Sequence, residues 1–256
     1  LIDKIIEKLG HIEVLGSDNL QIIDVTADSR MVIPGSLFIC LKGATVDGHK
    51  FLKSAVEKGA VAALVEDVPK DFLVGATLLK VENTRKAMEV VTPFFYDYPG
   101  KKMRMIGLTG TNGKTTTTNI IRTILRKAGH KVGLIGTINI MIEDEVTVSH
   151  NTTPDVVDLQ KNLFAMEQAG CDYVVMEVSS HALALKRVAG CEYDCAVLTN
   201  ITKDHLDFHK NMENYRDAKS LLFENLSDGN KPNKNAVFNM DDPSSEIMKS
   251  RTQVPY

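Results

Sequence analysis

The apolar residues of the first hundred positions follow two periods, one typical of helices and one of strands. Ile2, Ile5, Ile6 and Leu9 recur at helical spacing, and Gly10 is a stop signal, so a helix is predicted here. The rest of this region predicts an alternating α/β unit: strands at SLFICLKG, AVAALVED and ATLLKVE, a helix at HKFLKSAVEKG, and a helix over TRKAMEVVTPFFYDY that is capped by Asn83.

A turn-rich segment, YPGKK at residues 98–102, interrupts this pattern and places a domain boundary near residue 100. Beyond it, strand and helix patterns alternate. Strands are predicted at MRMIGLT, KVGLIGT, DYVVMEVSS, DCAVLTNI and NAVFNM, a hairpin at INIMIEDEVTVS, and helices at KTTTTNIIRTILRKAG, TTPDVVDLQKNLFAMEQAG and NYRDAKSLLFENL. The second of these helices is expected to start with Thr153 as its cap and Pro154 at its first position. Such alternation predicts a mostly parallel sheet covered on both faces, with ligands at the carboxyl ends of its strands.

Composition narrows the class of protein. The 256 residues are 43% apolar and 25% charged, as in an ordinary globular protein of two domains. A net charge of -3 gives no electrostatic footprint for nucleic acid, and apolar runs such as AVAALV are too short to span a bilayer. The four cysteines form no C-x-x-C motif and no signal peptide is visible, so buried reduced thiols and a cytoplasmic location are expected. The first residue is Leu and not Met, so the interpretation leaves room for native residues before it.

The segment GLTGTNGKTTTTN has the context of a phosphate-binding loop, between a predicted buried strand and a predicted helix. Glycines let backbone N–H groups face a ligand, and the helix start adds the positive end of its dipole. Lys114 is suited to neutralise β- and γ-phosphate charge, and the Thr115 hydroxyl to ligate Mg²⁺. The common pattern G-x-x-x-x-G-K-[ST] fails at its first position, which is Leu108. The alternative is a glycine-rich turn with a solvated lysine.

Polar residues follow the next two predicted strands. In MEVSSHALALKR, Glu177 is a candidate Mg²⁺ ligand and Arg187 a candidate clamp for a phosphate or carboxylate. Their alternatives are a surface carboxylate and a solvated arginine on a helix. In LTNITKDHLDFHKN, His205 and His209 have the spacing of a zinc site, but no H-E-x-x-H and no third soft ligand accompanies them. A single histidine, His205, beside Mg²⁺ is the favoured interpretation, and a hydrogen-bonded loop histidine remains the alternative for His209.

Two further residues are ambiguous from the sequence. Lys219 lies among apolar residues of a predicted helix, and the pattern favours a lysine that reaches out to solvent. A desolvated lysine with a lowered pKa, reactive as the free amine, is the alternative. Ser29 lies in a predicted loop, Asp28-Ser29-Arg30, that suits either a structural turn or recognition of phosphate or uracil.

In this order the motifs resemble the Mur ligase family. The resemblance covers the whole chain and is carried by DSRMVIPGSLFICLKG, DGHKF, GLTGTNGKTTT, NTTPD, MEVSSHAL, LTNITKDHLDFH, YRDAKSLLF and FNMDD. The GTNGKTT core is shared with folylpolyglutamate synthetases, whereas DSR and NTTPD point to the members that act on a UDP-muramoyl dipeptide. The resemblance also implies that the shortened loop is the form in which this family builds its ATP site.

What the resemblance implies is an ATP-dependent amide ligase of peptidoglycan synthesis. It would add meso-diaminopimelate or L-lysine to UDP-N-acetylmuramoyl-L-alanyl-D-glutamate through an acyl phosphate, with Mg²⁺ as cofactor. The implied ATP-binding residues are Gly110, Thr111, Asn112, Gly113, Lys114, Thr115 and Thr116. The residues implied to bind the UDP-linked substrate are Ser29, Asn151, Thr152, Thr153, Ser179 and Arg187.

The remaining implied roles concern metal and catalysis. Thr115 and Glu177 would share one Mg²⁺, His205 would serve a second, and Lys219 would approach the metal as an N-carboxylated lysine. Lys114, Lys219 and His205 are the implied catalytic residues.

The resemblance also implies a domain plan. Residues 1–100 would bind the UDP substrate, residues 101–256 would form an incomplete ATP-binding domain, and an amino-acid-binding domain would lie beyond Tyr256. The fragment alone is expected to be inactive, and the protein is expected to be a monomer. Two other functions stay open: a non-catalytic nucleotide-binding protein and a folylpolyglutamate-type ligase.

Overall fold

The computed structural model describes residues 2–43, 46–69, 75–149 and 151–256. The chain divides into two compact units, Leu1–Asp97 and Tyr98–Tyr256, and the second begins at the turn-rich segment YPGKK. Both units combine helices with a parallel-rich sheet, as the alternating sequence pattern predicts.

The described part of the first unit contains a sheet of five strands in the order β1-β5-β4-β3-β2. Strands β2 to β5 are parallel, and β1 pairs antiparallel with β5. The elements are α1 (Ile2–Leu9), β1 (Glu13–Leu15), β2 (Asp24–Thr26), β3 (Ser36–Ile39), a 3₁₀ turn (Gly48–Phe51), α2 (Leu52–Glu57), β4 (Ala62–Val65), β5 (Thr77–Lys80) and α3 (Thr84–Phe95). The predicted cap of α3 is confirmed, since the Asn83 side chain accepts the Lys86 N–H at 2.9 Å.

The described part of the second unit contains a sheet of seven strands in the order β12-β11-β6-β10-β7-β8-β9. The first five of these run parallel, and β7, β8 and β9 pair antiparallel, which confirms the predicted hairpin. The elements are α4 (Pro99–Lys102), β6 (Arg104–Thr109), α5 (Lys114–Lys127), β7 (Val132–Ile135), β8 (Asn139–Ile142), β9 (Glu145–Val148), α6 (Val156–Gln168), β10 (Tyr173–Glu177), α7 (Ser180–Ala184), β11 (Cys195–Leu198), α8 (Leu206–His209), α9 (Met212–Asp228), β12 (Asn235–Phe238) and α10 (Ser244–Lys249).

Helices cover both faces of this second sheet. Successive side chains of β10 point to opposite faces, so Val175 packs with α5 residues such as Leu125 in one cluster. Val174 and Met176 instead join the larger cluster that contains α6 and α9 residues such as Leu222. Near-continuous apolar strands are the expected sequence of a sheet buried on both faces, and this prediction is confirmed.

The predicted start of α6 is wrong. Its cap is Asp155, whose Oδ1 accepts the Val156 N–H at 2.8 Å. Thr153 cannot serve as the cap because its hydroxyl donates to the Glu177 carbonyl at 2.9 Å and accepts the Ser179 N–H at 3.1 Å. Pro154 therefore precedes the helix and does not occupy its first position.

Strand β12, at one edge of the second sheet, contacts the segment that contains Pro255. The Ala236 N–H of β12 donates to the Pro255 carbonyl at 2.8 Å. Across the residues that the structure describes, no helix is both long enough and apolar enough to cross a membrane.

Close packing at Gly107 in β6 gives a stability prediction. A Cβ there would lie 2.7 Å from Tyr193 Cε1, and the Tyr193 side chain is fully buried. We expect Gly107→Ala to lower the free energy of unfolding by about 1–3 kcal/mol, because a packed ring must shift. Gly100→Ala is the matched control, since its nearest contact would be an ordinary 3.5 Å. Urea unfolding measures both variants, and equal stability of the two would contradict the packing argument.

Candidate functional site

The phosphate-loop segment lies where parallel strands of the second sheet end. It follows β6, whose neighbours β10 and β11 pair in register as Glu177 with Leu108 and Leu198 with Thr109. The polar residues that follow these strands therefore lie at the same edge of the sheet as Gly110.

Residues after β11 hold the loop in place. The Thr111 N–H donates to the Asn200 carbonyl at 2.7 Å, and the Asn112 N–H to Asn200 Oδ1 at 3.0 Å. Asn200 Nδ2 and Thr199 Oγ1 both donate to the Asn112 carbonyl, at 3.0 and 2.7 Å. Gly110 has a φ of +143°, and a Cβ on it would lie 1.9 Å from Thr199 Oγ1, so only glycine fits.

The start of α5 has no side-chain cap. Its N-cap is Gly113, at a φ of +84°, and a Cβ there would meet nothing within 4 Å. The first N–H groups of a helix have no acceptor within the helix, and they carry the positive end of its dipole. An uncapped start that faces open space is suited to bind an anion.

Lys114 folds back over the loop instead of extending into solvent. Its Nζ donates to the carbonyls of Gly110 and Thr111, at 2.8 and 2.9 Å. Burial lowers the pKa of Lys114, and the nearby carboxylates of Glu177 and Asp204 partly offset this effect. The ammonium group is therefore held within the loop, where a phosphate chain would replace carbonyls as its partner.

Lys219 is buried, so the prediction that it reaches solvent is wrong. Its side chain is only 2% exposed, and its Nζ donates at 2.8 Å to Gly110 O, the same carbonyl that Lys114 uses. Burial lowers the pKa of Lys219 to about 7, with repulsion from Lys114 as the second cause. The Tyr215 ring lies 4.6 Å from Nζ, and the Tyr215 hydroxyl bonds to Thr111 Oγ1 at 3.0 Å.

Glu177 is not a surface residue. It is 1% exposed at the end of β10, and Thr137 beyond β7 bonds to both of its carboxylate oxygens. The Thr137 N–H donates to Oε1 at 3.0 Å and its hydroxyl to Oε2 at 3.0 Å. A buried carboxylate at this edge of the sheet is suited to hold a divalent cation.

The residues expected to bind the dipeptide portion lie around the ends of β10 and the hairpin. Ser179 caps α7, and its hydroxyl accepts the Ala182 N–H at 3.2 Å. Arg187 follows α7 and is half-buried, so it is not a solvated helix residue. Its Nη1 lies 3.5 Å from the Thr153 carbonyl, and its buried Nε has no partner among the described residues. An unpaired buried donor of this kind is suited to an anionic ligand.

The other expected substrate residues differ in their surroundings. Asn151 is exposed, and the Thr152 hydroxyl lies 3.1 Å from Thr137 Oγ1. Ser29 lies in the first unit, where its carbonyl accepts the Lys58 ammonium at 2.8 Å. Beside it, Asp28 and Arg30 form an ion pair at 2.6 Å.

The two histidines of the predicted pair have different environments. His205 is exposed, has a φ of +51°, and places its Nε2 3.4 Å from Asp204 Oδ2. His209 is 5% exposed and its Nε2 lies 2.9 Å from Ser180 Oγ, so the hydrogen-bonded alternative for His209 is confirmed. In the ranges given above, no group of three or more His, Cys, Asp or Glu residues is placed to hold a metal. A cation here would therefore need hydroxyl or ligand oxygens as well.

Sequence reasoning missed Thr137 and Tyr215. A polar residue shortly after the apolar run of β7 was the available signal for Thr137, as a polar residue at the end of the β10 run was for Glu177. The signal for Tyr215 was its position four residues before Lys219 on one helix face.

Comparison with known families agrees with this fold. Residues 108–256 match the Mur ligase middle domain, and residues 21–96 match the Mur ligase family catalytic domain. The chain belongs to the Mur ligase family, which confirms the resemblance seen in its motifs.

Particular members are closely similar. The chain is 51% identical over 247 residues to the UDP-N-acetylmuramoyl-L-alanyl-D-glutamate–2,6-diaminopimelate ligase of Bacillus cereus, covering 94% of this chain and 49% of that protein. A solved structure of a ligase of the same name has a TM-score of 0.73 at 29% identity, over 90% of this chain and 45% of the other. MurF from Thermotoga maritima, solved in complex with ADP, shares the fold with a TM-score of 0.60 at 23% identity, over 89% and 48%. The chain thus spans about half the length of the relatives it matches.

The buried Lys219 predicts a pH-dependent effect on stability. Its pKa falls from 10.5 to about 7 on folding, so between these values the unfolded chain binds more protons and stability rises with pH. Lys219→Met removes this group. We expect its free energy of unfolding, relative to the unchanged protein, to be more favourable at about pH 6 than at about pH 9, by about 2–3 kcal/mol. Urea unfolding in CO₂-free buffer measures this difference, and a difference that does not change with pH would contradict burial of a neutral amine.

Proposed function

We propose that this chain forms the substrate- and ATP-binding part of a ligase that joins 2,6-diaminopimelate to UDP-N-acetylmuramoyl-L-alanyl-D-glutamate. The observation that carries the proposal is the uncapped start of α5 with Lys114 beside the buried Glu177 carboxylate. The names of its relatives supply the substrates. The proposed domain plan is that residues 1–100 bind the UDP substrate, residues 101–256 bind ATP, and residues beyond Tyr256 select the amino acid.

Mg²⁺ fits the residues around the loop. The Glu177 carboxylate, the Thr115 hydroxyl and His205 offer mainly oxygen donors, which suit Mg²⁺ shared with substrate phosphates. Bound there, Mg²⁺ would neutralise charge on the transferring phosphoryl group. Lys219 contributes to this set as a carbamate, formed when its free amine attacks CO₂ and releases a proton. The carbamate replaces a cation with an anion beside the metal.

The protein's part in the reaction is to hold and orient charged groups. The proposed first step transfers the γ-phosphoryl group of ATP to the D-Glu carboxylate, giving an acyl phosphate and ADP. The N–H groups at the start of α5 and the Lys114 ammonium stabilise charge on the phosphates. In the second step the amine attacks the acyl carbon, an amide forms, and phosphate and a proton leave. Holding the reactants in line removes up to about 7–11 kcal/mol of entropic barrier.

Residues next to the phosphate loop would place the dipeptide. Arg187, with its unpaired buried Nε, is suited to hold a substrate carboxylate or phosphate, beside Ser179 and Thr152. Asn151 and Thr153 complete this set, and Ser29 of the first unit contacts the UDP portion. The enzyme is proposed to act in the cytoplasm, where its nucleotide substrates are found. It is proposed to act as a monomer.

Removal of Lys114 tests the phosphoryl-transfer step. In the gene product that contains this chain, we expect Lys114→Ala to abolish acyl-phosphate formation, measured by trapping the acyl phosphate with hydroxylamine. Lys127→Ala, at the far end of α5, is the matched control and should retain the activity. Full acyl-phosphate formation by Lys114→Ala would overturn the proposed function.

Two other functions predict different results in the same assay. A non-catalytic nucleotide-binding protein would bind ATP without ligation, and a folylpolyglutamate-type ligase would prefer a folate to the UDP-linked dipeptide. The DSR and NTTPD segments favour the dipeptide. A panel of amino acids that includes L-lysine tests the choice of diaminopimelate.

The carbamate at Lys219 gives a prediction about pH. Carbamate formation requires the free amine, and the Lys219 pKa of about 7 means that protonation removes this amine as the pH falls below 7. With ¹³C-bicarbonate, we expect a carbamate NMR signal at about pH 8 that declines through about pH 7. Lys219→Arg should lack the signal and be nearly inactive. A signal that persists in Lys219→Arg would contradict the assignment.

A further inference from the structure

Thr137 makes an unusually complete set of contacts with Glu177. It follows β7, and its N–H and hydroxyl reach separate oxygens of the carboxylate, each at 3.0 Å. The residue before it, Gly136, allows this approach, because a Cβ there would lie 2.7 Å from Glu177 Oε1. Two donors from one residue fix both the plane and the rotation of the carboxylate.

The Thr137 hydroxyl lies between two oxygens, one of Glu177 and one of Thr152. An ionised carboxylate only accepts, so the single hydrogen of the Thr137 hydroxyl goes to Glu177 Oε2. Thr152 Oγ1, which lies 3.1 Å from Thr137 Oγ1, is a second acceptor within reach of the same hydroxyl. Each carboxylate oxygen still has a free lone pair for a cation.

We infer that Thr137 is a positioning residue that aims the Glu177 carboxylate at the divalent cation, and that Thr152 acts through Thr137. The inference rests on the metal role proposed for Glu177. It also gives Thr152 a task besides contact with the substrate, since its hydroxyl contacts Thr137 Oγ1 at 3.1 Å and helps to hold that side chain. Partners of this kind behind a metal ligand typically change metal affinity by about 10- to 100-fold.

Binding of Mn²⁺ in the presence of ADP, followed by electron paramagnetic resonance, tests the inference without any turnover. We expect Thr137→Val, which keeps the shape and the backbone N–H but loses the hydroxyl, to weaken Mn²⁺ binding roughly tenfold. Thr137→Ser should restore the affinity. Thr152→Val should weaken it less, and the double variant should resemble Thr137→Val alone, because both act along one chain.

A control variant and three contradicting outcomes separate the metal role of Glu177 from the positioning role of Thr137. Thr123→Val removes a hydroxyl that bonds only to its own helix, at the Asn119 carbonyl, and should leave Mn²⁺ affinity unchanged. If Glu177→Gln does not weaken Mn²⁺ binding, the proposed metal role of Glu177 is wrong. If Glu177→Gln weakens it but Thr137→Val does not, the metal role stands and the positioning role of Thr137 is overturned. Additive effects of Thr137→Val and Thr152→Val would overturn the link between them.

Discussion

Two lysine amino groups share one backbone carbonyl, and the site is organised around this crowding of basic groups. Lys114 and Lys219 each donate to Gly110 O at 2.8 Å, although both are largely withdrawn from water. Desolvation lowers both pKa values, and repulsion from Lys114 helps to lower the pKa of Lys219 to about 7. A polyanion at the start of α5 would relieve the repulsion by engaging Lys114. The loop is therefore electrically suited to a phosphate chain before any ligand arrives.

The sheet supplies the rigidity that this arrangement needs. Polar side chains at the ends of neighbouring strands surround the loop. Thr199 and Asn200, after β11, clamp the loop, while Glu177, at the end of β10, and Thr137, two residues after β7, form the carboxylate side. Because these residues sit on strand ends and not in long loops, their distances are set by the pairing of the strands. Tyr215 links helix α9 to the same site, because it contacts both Thr111 and Lys219.

The sequence alone predicted the order of most elements in both sheets and the context of the phosphate loop, because glycines, caps and apolar periods act locally. It failed where a long-range contact decides the outcome. In the sequence Lys219 resembles a surface lysine, but in the fold its Nζ donates to the Gly110 carbonyl just after β6. Thr153 resembles a helix cap, but its hydroxyl donates to the Glu177 carbonyl at the end of β10. β1 and β2 were missed because three residues each are too few to show a period.

The bond between Ala236 and Pro255 has a consequence for self-association. A terminal strand of a sheet offers unpaired N–H and C=O groups that can recruit a foreign strand. Here the segment that contains Pro255 occupies one of these groups on β12, and proline has no N–H with which to pass the pairing further outward. A foreign strand that pairs with β12 at this position would first have to displace the segment that contains Pro255.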